Sequence, residues 1–233
     1  LVAPVALAGA YTALVLLQPD LGTSAVFGAI LLGMLFVAQA PGRYLAWMVG
    51  LAGAAVAAGV LSTWAGWLRI FKPHQLLRLM VFVDPKAHGL GAGWNVVQSV
   101  IAVGSGRLFG RGLFSGPQTQ LAFLPARHTD FIFSAIAEEL GFLGAGACLL
   151  AFYGLLRRGL HVAAMARDRA GSLLAAGIVV WLGFHVAVNV GMTLGLVPVM
   201  GIPLPLVSYG GTHLVAALAG VGLLLNVGLR RHR

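Results

Sequence analysis

The chain has 233 residues, of which 59% are hydrophobic and 9% charged, with a mean hydropathy of +0.93. A water-soluble domain carries about 25% charged residues, so this chain cannot cover itself with a wettable surface, and a soluble globular class is excluded. The net charge is +9, and the lone cysteine, Cys148, lies in an apolar run, which excludes a disulfide framework or a cysteine metal cluster and reads as a small buried hydrophobe.

The chain opens on Leu1-Val-Ala-Pro-Val-Ala-Leu, with no Met and no basic n-region. That is a poor signal peptide and reads better as a segment of a longer protein. A bilayer core about 30 Å thick needs roughly 20 apolar residues per helix. Uninterrupted apolar length predicts six membrane helices, at about 1–17, 21–39, 43–62, 130–156, 171–196 and 207–229. Gln18-Pro19-Asp20, Pro41-Gly42 and the Pro198, Pro203 and Pro205 cluster supply turn chemistry between them. The expectation is an all-α polytopic membrane protein, a single membrane domain over 1–233, with one long loop at 63–129.

Charge sets the expected orientation. Arg157, Arg158, Arg167 and Arg169 stand against only Asp168 in the 157–170 connection, the chain ends Arg230-Arg231-His232-Arg233, and Arg43 lies in the short turn at 40–43. By the positive-inside rule all three face the cytoplasm, consistent with six alternating helices. The 63–129 loop, the 197–206 loop and the Gln18-Pro19-Asp20 turn then face outward. Loops near the length of 63–129 translocate largely regardless of charge.

Six acids are present, so each can be weighed: Asp20, Asp84, Asp130, Glu138, Glu139 and Asp168. Asp168 reads as a solvated partner of the cytoplasmic arginines. Asp84 precedes Pro85 and reads as a turn residue. Asp20 suits a cap for the helix that follows. Asp130 opens the 130–156 helix at the outer face, where a first-turn acid is favoured by the helix dipole. At 100° per residue it also shares a side with Ser134, Ala137, Gly141 and Gly144, with Glu138 at the edge and about 12 Å deeper. A stripe of small and polar groups points to close packing or a wet cavity. An acid as deep as Glu138 is costly unless paired or solvated, and so is a candidate site residue. Glu139 points elsewhere, toward a neighbouring helix. The residues alone leave capping and catalysis both open for Asp130.

The loop supplies the opposite sign. Seven cations, Arg69, Lys72, Arg78, Lys86, Arg107, Arg111 and Arg127, face only Asp84 within 63–129. A solvated basic face explains them, and so does an anionic ligand gripped by charge-assisted bonds; nucleic acid is excluded by compartment. The segment Trp94-Asn-Val-Val-Gln-Ser-Val-Ile-Ala-Val reads as amphipathic and fit for an interface, with Gln98 and Ser99 on its polar side. Gly104-Ser105-Gly106 and Gly110-Arg111-Gly112 match a phosphate-cradling loop only loosely, and a turn or close backbone approach explains them equally well. Together these features describe an outward, cationic, partly amphipathic vestibule over a membrane-edge carboxylate.

Four blocks carry a resemblance. They are Gln18-Pro-Asp-Leu-Gly-Thr, Gly91-Ala-Gly-Trp-Asn-Val-Val-Gln-Ser-Val-Ile-Ala-Val-Gly-Ser-Gly, Gln118-Thr-Gln-Leu-Ala-Phe-Leu-Pro-Ala-Arg-His-Thr-Asp-Phe-Ile-Phe-Ser-Ala-Ile-Ala-Glu-Glu-Leu-Gly, and Gly201-Ile-Pro-Leu-Pro-Leu-Val-Ser-Tyr-Gly-Gly-Thr. In this order, across nearly the whole chain, they resemble the shape, elongation, division and sporulation (SEDS) family. Gln-Thr-Gln-Leu, Phe82-Val-Asp-Pro and Pro205-Leu-Val-Ser-Tyr resemble its rod-shape branch more than its division branch.

The resemblance implies a peptidoglycan glycosyltransferase that polymerises lipid II at the outer side of the bacterial cytoplasmic membrane, partnered by a class B penicillin-binding protein. It implies ten helices, of which this chain resembles the last six, with the 130–156 and 171–196 helices suggested for docking the partner. The family's essential acid matches Asp130, which implies a general base for the acceptor sugar's 4-hydroxyl. A dry vestibule would raise its pKa and Arg127 would lower it. Arg78 and Arg111 head the expected pyrophosphate-binding cations, and Lys72, Gln98, Gln120, Arg127, His128, Thr129 and Glu138 complete the expected substrate site. A divalent cation, Mg or Mn, is a possible sharer of the pyrophosphate charge. Three positions depart from the family pattern: Ala126 and His88 stand where acids are frequent, and Arg107 replaces a common glycine. The first two of these, Ala126 and His88, bear on any metal scheme. The alternatives are a flippase for the lipid-linked precursor, which needs ionisable groups near the bilayer midplane, and a scaffold in which Asp130 only caps a helix.

Overall fold

The structure, a computed structural model, describes residues 2–18, 20–64, 72–85, 93–121, 123–124 and 126–230. Arg69, Lys86, His88, Pro19, Pro125 and residues 231–233 lie outside them. The described residues form α1 (Val2–Leu17), α2 (Leu21–Val37), α3 (Gly42–Trp64), α4 (Pro73–Val83), α5 (Trp94–Ser105), α6 (Pro117–Gln120), α7 (Ile132–Ala164), α8 (Arg169–Thr193) and α9 (Gly211–Arg230), and no strand. Each of the six predicted apolar stretches is a helix, and α4 to α6 lie in the long loop. Among the described residues α3, α7, α8 and α9 are long and apolar enough to cross a membrane, while α1 and α2 are apolar helices of 16 and 17 residues. The ends hold to within a few residues except that α7 continues to Ala164. Arg157 and Arg158, expected in a connection, are therefore exposed on this helix, where long side chains carry the charge away from an apolar stem.

Helix α8 is the hub, packed by α2, α5, α7 and α9. Its Ala175, Ala176, Ile178, Val179 and Leu182 form a buried cluster with Ala217 and Leu224 of α9. Helices in lipid associate through close van der Waals contact, which favours small residues at crossings. A Cβ on Gly33 of α2 would fall 2.4 Å from Val180, and one on Gly159 of α7 2.4 Å from Val179. The outward faces stay apolar, with Trp47, Leu51, Phe142 and Leu150 all exposed, as a hydrocarbon surround permits.

Helix α5 corrects one expectation. Gln98 and Ser99 are buried while Val100 and Ile101 are exposed, so the polar side faces the protein. Ser99 Oγ lies 2.6 Å from Ser134 Oγ on α7 and donates to Thr193 O on α8 at 2.7 Å. Hydroxyls with partners inside are readily buried, which turns the apolar side out. The small-residue stripe of α7 is accordingly a packing seam: Ser134, Ala137, Glu138 and Gly141 are all buried.

Helix α7 breaks at Gly141 (φ 69°, ψ −166°), and the loop after α5 fills the break. The N–H groups of Arg111 and Gly112 donate to Glu138 O and Glu139 O at 2.9 and 3.1 Å, and those of Phe142 and Leu143 donate to Arg107 O and Leu108 O at 2.8 and 3.2 Å. An interrupted membrane helix is tolerable only when its freed polar groups are satisfied inside the protein, as these are. Gly106 and Gly110 thus serve close backbone approach, a Cβ on them falling 1.8 Å from Ala137 O and 2.1 Å from Glu139 O. A Cβ on Gly141 would lie 2.2 Å from Gly110 N in a left-handed conformation. Gly141→Ala is expected to destabilise the protein by at least about 2 kcal/mol, read as a lowered Tm in detergent.

Candidate functional site

The turn before α7 winds tightly on itself. Thr129 N and Phe131 N both donate to Ala126 O, at 3.2 and 3.1 Å, and Arg127 N donates to Leu124 O at 3.3 Å. The helix starts at Ile132, two residues later than predicted, and its N-cap is Phe131, with no side-chain cap bond. The Asp130 carboxylate is therefore not a helix cap. The contrast within the chain is direct: Asp20 accepts from Thr23 N at 3.0 Å and from Thr23 Oγ1 at 2.6 Å. Asp168, expected to be a solvated partner of arginines, accepts from Gly171 N at 2.9 Å and caps α8.

The backbone of His128-Thr129-Asp130 is gripped from behind by α8 and the 197–210 loop. Asn189 Nδ2 donates to Asp130 O at 2.9 Å and to Ile202 O at 2.8 Å. Ser208 Oγ donates to Thr129 O at 2.7 Å and accepts from Leu204 N at 2.7 Å, while Tyr209 N donates to His128 O at 2.8 Å. Three consecutive carbonyls are thus held, and Gly201 lies beside the carboxylate, a Cβ there reaching 3.7 Å from Asp130 Oδ2. The loop is seated in turn by His185, whose Nδ1 donates to Pro203 O at 3.2 Å and whose ring stacks on His213 at 5.1 Å. Sequence reasoning missed Asn189, His185 and Ser208. The signal was present: Asn189 is a polar amide in an apolar run, and such groups are costly in a membrane unless they bond something.

Asp130 is half-buried, and burial pushes its carboxyl above the ordinary value against two smaller opposing effects, a hydrogen bond from the Thr129 side chain and the positive charge of Arg78. Desolvation disfavours the charged carboxylate, and here it prevails. The cation acting on Asp130 is Arg78, not Arg127 as expected. Arg127 Nε instead donates to His128 Nε2 at 3.0 Å, and its Nη1 is buried without a hydrogen-bond partner.

The other expected residues divide into two sets. Gln120, Arg127 and His128 come together in a groove of about 510 Å³, walled by Phe114 on the loop and by Ile132 and Ile136 on α7. Glu139 lines the same groove instead of pairing with a neighbouring helix as expected. Arg78 and Lys72 are exposed on and just before α4, and Arg111, also exposed, is tethered by its Nε to Ser105 O at 2.9 Å. Gln98 and Glu138 do not join them. Both are buried, and Glu138 has no exposed surface at all. Its Oε1 accepts from Gln118 N at 2.9 Å, and its Oε2 accepts from Thr119 N at 3.0 Å and from Thr119 Oγ1. A substrate contact expected of Glu138 is replaced by contacts to the loop, because its length lets it reach back to α6. Among the described residues no three His, Cys, Asp or Glu side chains gather as a metal-binding group, so a divalent cation finds no fitting donor set there.

The sequence profile of the FtsW/RodA/SpoVE family, described as cell cycle proteins, matches residues 1–233. The chain belongs to the FtsW/RodA/SpoVE family. It is 44% identical over 221 residues to the peptidoglycan glycosyltransferase MrdB of Escherichia coli, covering 94% of this chain and 58% of that protein. With the peptidoglycan glycosyltransferase RodA of Treponema pallidum it shares 45% identity over 168 residues, 70% of this chain and 38% of that one. Among solved structures, a chain of a peptidoglycan synthase complex, reported for its structural coordination of polymerization and crosslinking, matches with a TM-score of 0.76 and 37% identity over 99% of this chain and 62% of its own. The rod shape determining protein RodA of Thermus thermophilus matches with a TM-score of 0.65 and 31% identity, covering 100% of this chain and 57% of its own. The chain therefore spans less than two thirds of each of these relatives. In this FtsW/RodA/SpoVE member the sequence blocks containing Asp130 and starting at Gly201, far apart in the chain, meet through the Thr129–Ser208 and His128–Tyr209 bonds.

Proposed function

We propose that this chain is the membrane core of a peptidoglycan glycosyltransferase that polymerises lipid II for cell elongation and rod shape, with Asp130 as general base. The observation that carries the reading is a carboxylate freed from capping, half-buried and held by its own backbone at the edge of a membrane helix. In the reaction, Asp130 takes the proton of the acceptor sugar's 4-hydroxyl as that oxygen attacks the anomeric carbon of the donor. The new glycosidic bond forms as the bond to undecaprenyl pyrophosphate breaks, and the leaving pyrophosphate carries the electron pair away. Arg78, close enough to act electrostatically on Asp130, and the exposed Arg111 and Lys72 stabilise that developing charge. Arg127, His128 and Gln120 hold a second polar part of the substrates in the groove beside them. The raised pKa makes the Asp130 carboxylate a stronger base than a free aspartate.

The setting is the cytoplasmic membrane of a bacterium, multi-pass, with the site on the extracytoplasmic side, as the distribution of arginines supports. The chain supplies the last six helices of a ten-helix protein, with 63–129 its extracytoplasmic loop, and a class B penicillin-binding protein is its crosslinking partner. The deciding assay gives lipid II to the purified full-length protein with that partner and resolves glycan strands on a gel. Strands are expected. Lipid II crossing the bilayer with no strands under any condition would replace this reading with transport.

Asp130 also sets the acid limb of the pH–rate profile. A base works deprotonated, so activity falls as pH drops through the raised pKa of Asp130. Arg78 holds that pKa down, so Arg78→Ala should move the acid limb to higher pH, measured as kcat/KM against pH. A limb that stays in place would remove Arg78 from the electrostatics of the base.

A further inference from the structure

We propose that Glu138 is a positioning residue: acting through α6, it holds the loop wall of the groove in place for the substrate that Arg127 and His128 contact. The inference rests on the glycosyltransferase reading for its kinetic consequence, but its structural half stands on the geometry alone.

Glu138 is a fully buried acid at the upper, broken half of α7. Both of its oxygens are used by the loop, through Gln118 N, Thr119 N and Thr119 Oγ1. Gly116 packs so closely that a Cβ there would fall 2.6 Å from Glu138 Oε2. Its main-chain carbonyl meanwhile accepts from Arg111 N at 2.9 Å. One residue thereby anchors the loop twice, at 111 through its backbone and at 118–119 through its side chain. Helix α6 has only four residues, too few to hold a helical shape without outside support. Its location is set by what it binds, and among its described hydrogen bonds the carboxylate of Glu138 is the anchor that reaches across from α7.

The consequence lies in the groove. Thr119 and Gln120 of α6 face the α7 wall formed by Ile132 and Ile136, with Arg127 and His128 at the same groove. If the carboxylate lets go, α6 and Gln120 move away from Arg127 while Asp130, clasped separately by Asn189 and Ser208, stays in place. Substrate grip should then suffer more than the chemical step. In Glu138→Gln the amide nitrogen is a donor and meets a backbone N–H, also a donor, at one of the two sites, with no change in size.

The test compares wild type, Glu138→Gln and Glu138→Ala in the full-length protein with its partner, by amide hydrogen exchange and by steady-state kinetics with lipid II. Exchange in 115–121 is expected to speed up about tenfold or more in Glu138→Gln, the loss of a charge-assisted hydrogen bond to backbone donors, while α8 keeps its protection. KM should rise about tenfold with kcat within about threefold. Unchanged exchange in 115–121 would overturn the clamp, and a loop released with KM unmoved would overturn its role toward substrate. Loss of kcat alone, with α8 still protected, would also overturn it. If Glu138→Ala fails to fold, Glu138→Gln and Thr119→Val, which removes the hydroxyl donor alone, decide in its place. Wild type making no strands would strike the glycosyltransferase reading, while the exchange arm still decides the clamp.

Discussion

If the proposed function holds, Asp130→Asn should lower glycan polymerisation by about two to four orders of magnitude, the usual contribution of a general base, while the protein keeps its Tm in detergent and its association with the proposed transpeptidase partner. The substitution preserves shape and removes the proton acceptor. Folding is expected to survive because Asp130 is held through its carbonyl, by Asn189, and the amide leaves that bond intact. Burial already disfavours the ionised side chain, so a neutral replacement relieves desolvation and adds no stability cost from that source. The measurement is the initial rate of lipid II consumption with gel-resolved products. Strands made at near wild-type rate by Asp130→Asn would end the general-base assignment and return the residue to a structural role.

Asn189→Ala should cost both stability and rate. It leaves the carbonyls of Asp130 and Ile202, which now receive Nδ2 at 2.9 and 2.8 Å, without that donor in a buried place. Each buried acceptor left unpaired costs roughly 1–3 kcal/mol, so about 2–6 kcal/mol in total is expected. The rate should fall about 10–100-fold, because a shift on the order of 1 Å at a reacting group is enough for that. Tm in detergent and initial rates, measured on the same preparation, test the two parts. A normal rate with a lowered Tm would mean that Ser208 and Tyr209 alone hold the motif. Asn189 is at the same time a sharper probe of the clasp than Ser208, whose hydroxyl also accepts from Leu204 N.

Much of the fold was legible because lipid simplifies the code. Long apolar runs mark helices without a need for periodicity, and proline and charge mark their ends. The extension of α7 to Ala164 escaped because Arg157 and Arg158 were read as the end of a helix, although a helix may continue past the apolar layer. The orientation of α5 escaped for a different reason. Its amphipathic pattern defines two sides but not which one faces the protein, and Ser99 found its partners on α7 and α8.

The site divides along the same line. Asp130, Arg127 and His128 stood out because polar groups are scarce in such a chain, and family likeness singled out Asp130 among the acids. Glu138 was flagged by its depth, but depth alone does not tell a ligand contact from a bond to the protein's own loop. Asn189 was overlooked because a neutral amide draws less notice than a charge, although inside a membrane its unmet hydrogen bonds are nearly as costly.

By itself the sequence determined the class and the six apolar helices, which follow from composition and local chemistry, and its likeness to the family singled out the carboxylate ahead of the fourth. Only the tertiary structure decided that this carboxylate does not cap its helix, that burial outweighs Arg78 in setting its pKa, and that Glu138 serves the loop. The physical reason is that hydrogen-bond partners here lie far apart in the chain, with a sequence separation of 59 for Asp130 and Asn189 and of 79 for Thr129 and Ser208. Desolvation and donor geometry belong to that assembled surrounding and to no single segment.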